Sequence, residues 1–215
     1  MKALIAAAVL FIGLAAATAQ SPPGPSSPAP KAASSAHKPA AAVRAECVLA
    51  VGLCVTVPAS WKRLGDVFDD LGFVVAEPHP GADPASWPQL TVAAIDVPPP
   101  STGASAPSLD SLVDIVLTPD GSFTSAETLQ RTHLLLNHAE AEIVRVQLHE
   151  EADKPGAVEA IALIQADDGL VYSIALRCAP EEFARLEPVF QQAARSWRIK
   201  PPAPSPKPRQ DSEKK

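Results

Sequence analysis

Histidines, carboxylates and cysteines are the side chains able to move protons, hold metals or attack carbonyl carbon, so their spacing decides which chemistries are open. His133, His138 and His149 match no usual ligand interval such as His-x-x-x-His. His138 reads as a turn residue, with His133 and His149 on adjacent strands near opposite ends of the hairpin around it. Glu140 and Glu142 share one strand face, the arrangement of a general acid and base, but beside a hairpin turn a solvated pair is the expectation. Asp66, Asp69 and Asp70, then Glu150, Glu151 and Asp153, then Asp167 and Asp168 cluster without the alternating oxygen spacing of a calcium loop. There is no Gly-x-Ser-x-Gly elbow, no Cys and His signature and no glycine-rich phosphate cradle. The expectation is a protein with no catalytic residue, no metal ligands and no cofactor, one that works by binding and not by turnover.

Cysteine chemistry depends on compartment. The first residues, MKALIAAAVLFIGLAAATAQ, combine a cation at Lys2, an apolar run from Ala3 to Ala17 and the small-x-small pattern Ala17-Thr18-Ala19. Residues 1–19 therefore read as a secretory signal peptide, with the mature chain starting near Gln20 in the periplasm or outside the cell and keeping no transmembrane segment. No Cys follows the apolar run, so no lipid anchor is expected. In an oxidising space Cys47 and Cys54 can bond, but in one straight strand they would stand over ~20 Å apart. The pairing requires CVLAVGLC to fold back, around Val51-Gly52. Cys178 then remains as a buried free thiol, on the apolar side of its strand.

The elements that position these groups occupy the middle of the chain. Residues 20–43 and 201–215 are built from Pro, Ala, Ser and Lys and read as disordered tethers, leaving one domain over 44–200. That domain holds 11 Lys or Arg against 22 Asp or Glu, an acidic balance that disfavours nucleic acid as a partner. LCVTV, GFVVAE and QLTVAAIDV read as strands, and EPHPGADPASWP between the last two, with its four prolines, as a loop. SLDSLVDIVL is a short amphipathic helix capped by Ser108. Four strands follow as two hairpins, turning at Asn137-His138 and Asp167-Asp168-Gly169. In the last of them Leu170, Tyr172, Ile174, Leu176 and Cys178 point one way and Val171, Ser173, Ala175 and Arg177 the other, the mark of a half-buried antiparallel strand. A closing helix, PEEFARLEPVFQQAARSW, carries the stripe Phe183, Leu186, Phe190, Trp197, with a bend expected at Pro188.

A strand ending in Val57-Pro58-Ala59-Ser60-Trp61, two more strands, a helix near Ser108, two hairpins and a final helix ending in Ser196-Trp197 together resemble the PsbP-like superfamily, which includes the photosystem II extrinsic P protein and bacterial DcrB-like envelope proteins. The resemblance spans residues 45 to 199 and rests on that Pro-x-x-Trp strand end and the aromatic-striped helix. It implies an α+β fold, an antiparallel sheet of about six or seven strands packed by helices on both faces. It also implies an accessory, assembly or adaptor role without catalysis. Asn137-His138 stands where many members have Gly in the tight turn, and the lipobox Cys of the envelope members is missing.

An envelope protein partner is therefore the expected ligand. The proline-held loop with Trp87, and with His79 and Asp83 beside it, is the expected contact, since such a loop loses little entropy on binding. The alternative is a carrier holding a small apolar ligand in a cavity between the sheet and the C-terminal helix. The oligomeric state is open.

Overall fold

Gly52 closes the first turn of the chain. Its φ of +69° suits a residue without Cβ, and a Cβ there would lie 2.1 Å from the Lys200 carbonyl oxygen. That turn joins β1 (Val43–Val48) to β2 (Leu53–Pro58) in antiparallel register, with Cys47 opposite Cys54. In the computed structural model, which describes residues 42–95, 107–119, 123–151, 154–166 and 170–200, the two cysteines form a disulfide with Cα atoms 4.1 Å apart. The expected signal peptide, both tethers and the Asp167-Asp168-Gly169 turn lie outside the described residues.

Two sheets follow. β10 (Arg198–Ile199) completes the small one, in the order β1-β2-β10. The large one has seven strands, all antiparallel: β3 (Lys62–Val67), β4 (Gly72–Ala76), β5 (Gln89–Ile95), β6 (Ser125–Leu136), β7 (Ala139–Glu151), β8 (Lys154–Gln165) and β9 (Val171–Cys178), in the order β3-β4-β5-β9-β8-β7-β6. Helix α1 (Leu109–Val116) is capped by Ser108, whose Oγ accepts from the Ser111 N–H at 3.2 Å. Helix α2 (Pro180–Ser196) runs on through Pro188. Among the described residues no helix is long and apolar enough to cross a membrane.

Strand alternation divides the core. On β8, Val158, Ala160, Ala162 and Ile164 join Phe183, Leu186 and Phe190 of α2, whereas Ile161 and Leu163 join Leu109, Leu112 and Val113 of α1. β9 divides as the sequence predicts, and Cys178 is buried and free; burial pushes its thiol up to about 12. Three strands have no counterpart in the sequence reading. β1 begins at Val43, inside the stretch expected as tether, β3 was not expected at all, and β10 is too short to show a period. KRLGDV in β3 lacks alternation because it is a charged edge strand with nearly every residue exposed.

Candidate functional site

The hairpin β6–β7 sets His133 opposite Glu142, and the His133 Nδ1 lies 3.2 Å from Glu142 Oε2. Arg131 Nε donates to Glu142 Oε1 at 2.8 Å, and the same guanidinium meets Asp110 and, at 3.7 Å, Asp114 on α1. Here the structure corrects the expectation of two solvated carboxylates: Glu140 is exposed, but Glu142 is only 4% exposed. Pairing is what makes that burial tolerable, since an unpaired carboxylate in this position would be costly. Both Glu142 oxygens are engaged, Oε1 by the Arg131 guanidinium that also meets Asp110 of α1 and Oε2 by His133 across the hairpin, and His133 is 59% exposed. His149 sits opposite Ser125 at the far end of the hairpin and His138 in its turn, so the three histidines stay apart.

The loop between β4 and β5 is closed at its base by the Glu77 N–H donating to Pro88 O at 3.0 Å. Asp83 caps a 3-10 turn at Pro84–Ser86, its Oδ1 accepting from the Ala85 N–H at 2.9 Å. Trp87 is half-buried, its Nε1 donating to Ala82 O at 3.2 Å, and it joins neither core cluster. Asp83 and Trp87 thus hold the loop's own shape. His79 lies at the other end, with Nε2 3.7 Å from both Glu77 and Glu182.

Glu77, His79 and Glu182 bring potential ligand atoms within 4.8 Å of one another, the one three-residue group of metal-binding types among the described residues. Arg185 already serves it: its guanidinium donates to both Glu77 oxygens, at 2.9 and 2.7 Å, and to Glu182 at 3.0 Å. That fork holds the Glu77 carboxyl below its usual range against the opposing effect of burial. A metal cation would have to displace a guanidinium beside the positive end of α2.

What sequence reasoning missed lies on the other side of α2. Helix α2 packs on β2, β8 and β9. Together with residues of β6 and β7 it lines an open cleft of about 180 Å³. Leu134, Leu136 and Ile143 of the hairpin and Phe183 and Phe190 of α2 line it, as does Arg145, whose guanidinium lies 5.3 Å from the Phe183 ring centroid. Arg145 Nε is buried and has no hydrogen-bond partner among the described residues. An unmet buried donor of this kind costs about 1–3 kcal/mol. The odd-numbered positions of β7 carry the signal, for a cation stands among them at 145, but only the register with α2 shows that it faces a cleft.

No family model matches the chain, and neither does any curated protein. Solved structures do. The solution structure of cyanobacterial PsbP (CyanoP) from Synechocystis shares 14% identity at a TM-score of 0.50, covering 79% of this chain and 99% of that one. A Pseudomonas aeruginosa protein of unknown function shares 14% identity at a TM-score of 0.46, covering 74% of this chain and 98% of that one. The Saccharomyces cerevisiae Ran-binding protein Mog1p shares 12% at 0.49, covering 74% and 96%. At such identities the likeness speaks of architecture alone: the chain has a PsbP-like fold, mostly-sheet α+β, whose described residues form a seven-stranded antiparallel sheet and two α-helices beside the small sheet.

Proposed function

We propose that this chain is an exported, non-catalytic accessory protein of the cell envelope that works by binding a protein partner. Residues 1–19 are removed on export, the stretches before residue 42 and after residue 200 tether a single domain, and the Cys47–Cys54 disulfide fits an oxidising compartment. α1 and α2 are taken to cover opposite faces of the sheet, because neighbouring residues of β8 pack against one and then the other.

The observation that carries this function is the open cleft beside α2. Its volume of about 180 Å³ is below the roughly 300–1,000 Å³ of sites that enclose a small molecule, but it is room for one or two side chains of a partner. Glu142, the buried carboxylate that a general acid and base would need, is committed to Arg131 and His133, and Arg131 in turn to Asp110 of α1. The loop with Trp87, His79 and Asp83 supplies a second contact. The carrier alternative keeps one support, the apolar wall of Phe183 and Phe190.

The test is photocrosslinking in the native host, with a photoreactive residue at Thr132 on the cleft, at Trp87 on the loop or at Glu140 as a control. Discrete protein adducts from the first two positions are expected. A low-mass adduct from Thr132, with no protein adduct from either, would establish the carrier.

A further inference from the structure

Among the described residues the buried Arg145 Nε has no acceptor. Arg44, Arg63, Arg131 and Arg185 each meet a carboxylate within the chain, whereas among the described residues none lies within ion-pair distance of Arg145. It stands on β7 between Gln130 of β6 and Ala160 of β8, its Nε shielded from solvent and unbonded, its guanidinium packed against Phe183. Arginine presents a planar, cationic fork that a carboxylate fills with two parallel bonds. Arg195 adds a second cation to the lining and Glu187 an anion, to which Gln191 already donates at 3.4 Å. This basic, greasy cleft stands out on a domain with twice as many acidic as basic residues.

We propose that the cleft receives an acidic side chain flanked by apolar ones from a partner polypeptide, with Arg145 as the carboxylate receptor and Leu134, Ile143 and Phe190 receiving the neighbouring apolar groups. This rests on the protein-partner function above and names its chemistry. Complementarity of charge selects the acid: an alkyl group over the guanidinium would leave its charge unanswered, an amide oxygen would offer it one neutral acceptor, and a carboxylate answers both the charge and the fork. The size of the cleft selects a side chain over an enclosed molecule.

The experiment titrates isotope-labelled full-length protein with two capped pentapeptides, Ala-Leu-Glu-Leu-Ala and Ala-Leu-Gln-Leu-Ala, and with octanoate as a free carboxylate. The Glu peptide is expected to shift the Arg145 Nε–H resonance and the Thr132 and Leu134 amides, and to bind about tenfold tighter than the Gln peptide. Arg145→Met should abolish that preference. Arg145→Lys, which keeps charge and stem but loses the fork, should reduce it, and carries the test if the Met variant does not fold. Equal binding of the two peptides, or a preference for Glu that survives in Arg145→Met, overturns the inference. Octanoate occupying the cleft while neither peptide binds overturns it together with the protein-partner function. A crosslinked partner captured equally by native protein and Arg145→Met removes the carboxylate receptor alone.

Discussion

Arg185, in the second turn of α2, reaches Glu77 at the end of β4 with a bidentate bond of 2.9 and 2.7 Å between residues 108 apart in the chain. It fastens the base of the Trp87 loop to the helix that also walls the cleft.

Acid should loosen that fastening. The folded-state pKa of Glu77 is held below 4.5, so its contribution is fully present above the unfolded value and is lost as pH falls through the lower folded one. With Arg185 half exposed, solvent screening limits the bond to about 1 kcal/mol or less. Melting curves between about pH 6 and pH 3 should therefore show a shallower acid limb in Glu77→Gln than in the native chain. Identical limbs would mean the fork adds nothing to stability.

Glu142 and Glu140 should behave as opposites. Glu142→Ala removes an acceptor from Arg131 and His133 at a buried position and should cost about 1–3 kcal/mol in urea denaturation. Glu140→Ala is an exposed change and should stay within about 0.5 kcal/mol. Equal costs would reject the assignment of Glu142 as a structural anchor.

One thiol should react in denatured, unreduced protein: Cys178. In the folded state it should resist alkylation at neutral pH, since burial raises its pKa to about 12. Reducing the Cys47–Cys54 bond should lower stability by about 2–3 kcal/mol, the loop-closure value for so short a ring. Three reactive thiols in the unreduced sample would exclude the bridge.

The Asn137-His138 turn pairs a strained residue with a useful one. Both have positive φ, +50° and +74°, and Asn137 Nδ2 also donates to Trp197 O at 2.7 Å, where α2 ends. His138→Gly should raise stability by about 0.5–1 kcal/mol by relieving φ. Asn137→Gly relieves the same strain but loses the bond to Trp197, and should fall below His138→Gly by about 1 kcal/mol in thermal denaturation.

Trp87→Ala should weaken partner capture by about 1 kcal/mol or more while barely moving the melting temperature, because its ring belongs to neither core cluster. A large drop in melting temperature with capture intact would place it among the core residues instead.

Local rules were enough for much of this molecule. The alternation from Leu170 to Cys178, the stripe Phe183, Leu186, Phe190, Trp197, the Ser108 cap and the Gly52 fold-back that lets Cys47 meet Cys54 each depend on a few neighbouring residues, so the sequence alone determined them. Their order along the chain was enough to point to a PsbP-like fold. Tertiary structure decided the rest, because register between distant segments sets burial and partners. Lys62–Val67 becomes a strand only by pairing with β4, and Glu142 becomes a buried anchor only because the hairpin sets Arg131 and His133 beside it while α1 lies over them. Nothing in the residues next to Arg145 distinguishes it from an alternating surface cation. It faces a cleft because residues of α2 and of β6 and β7 line one opening together, and no local pattern encodes where a helix packed against distant strands will leave a gap.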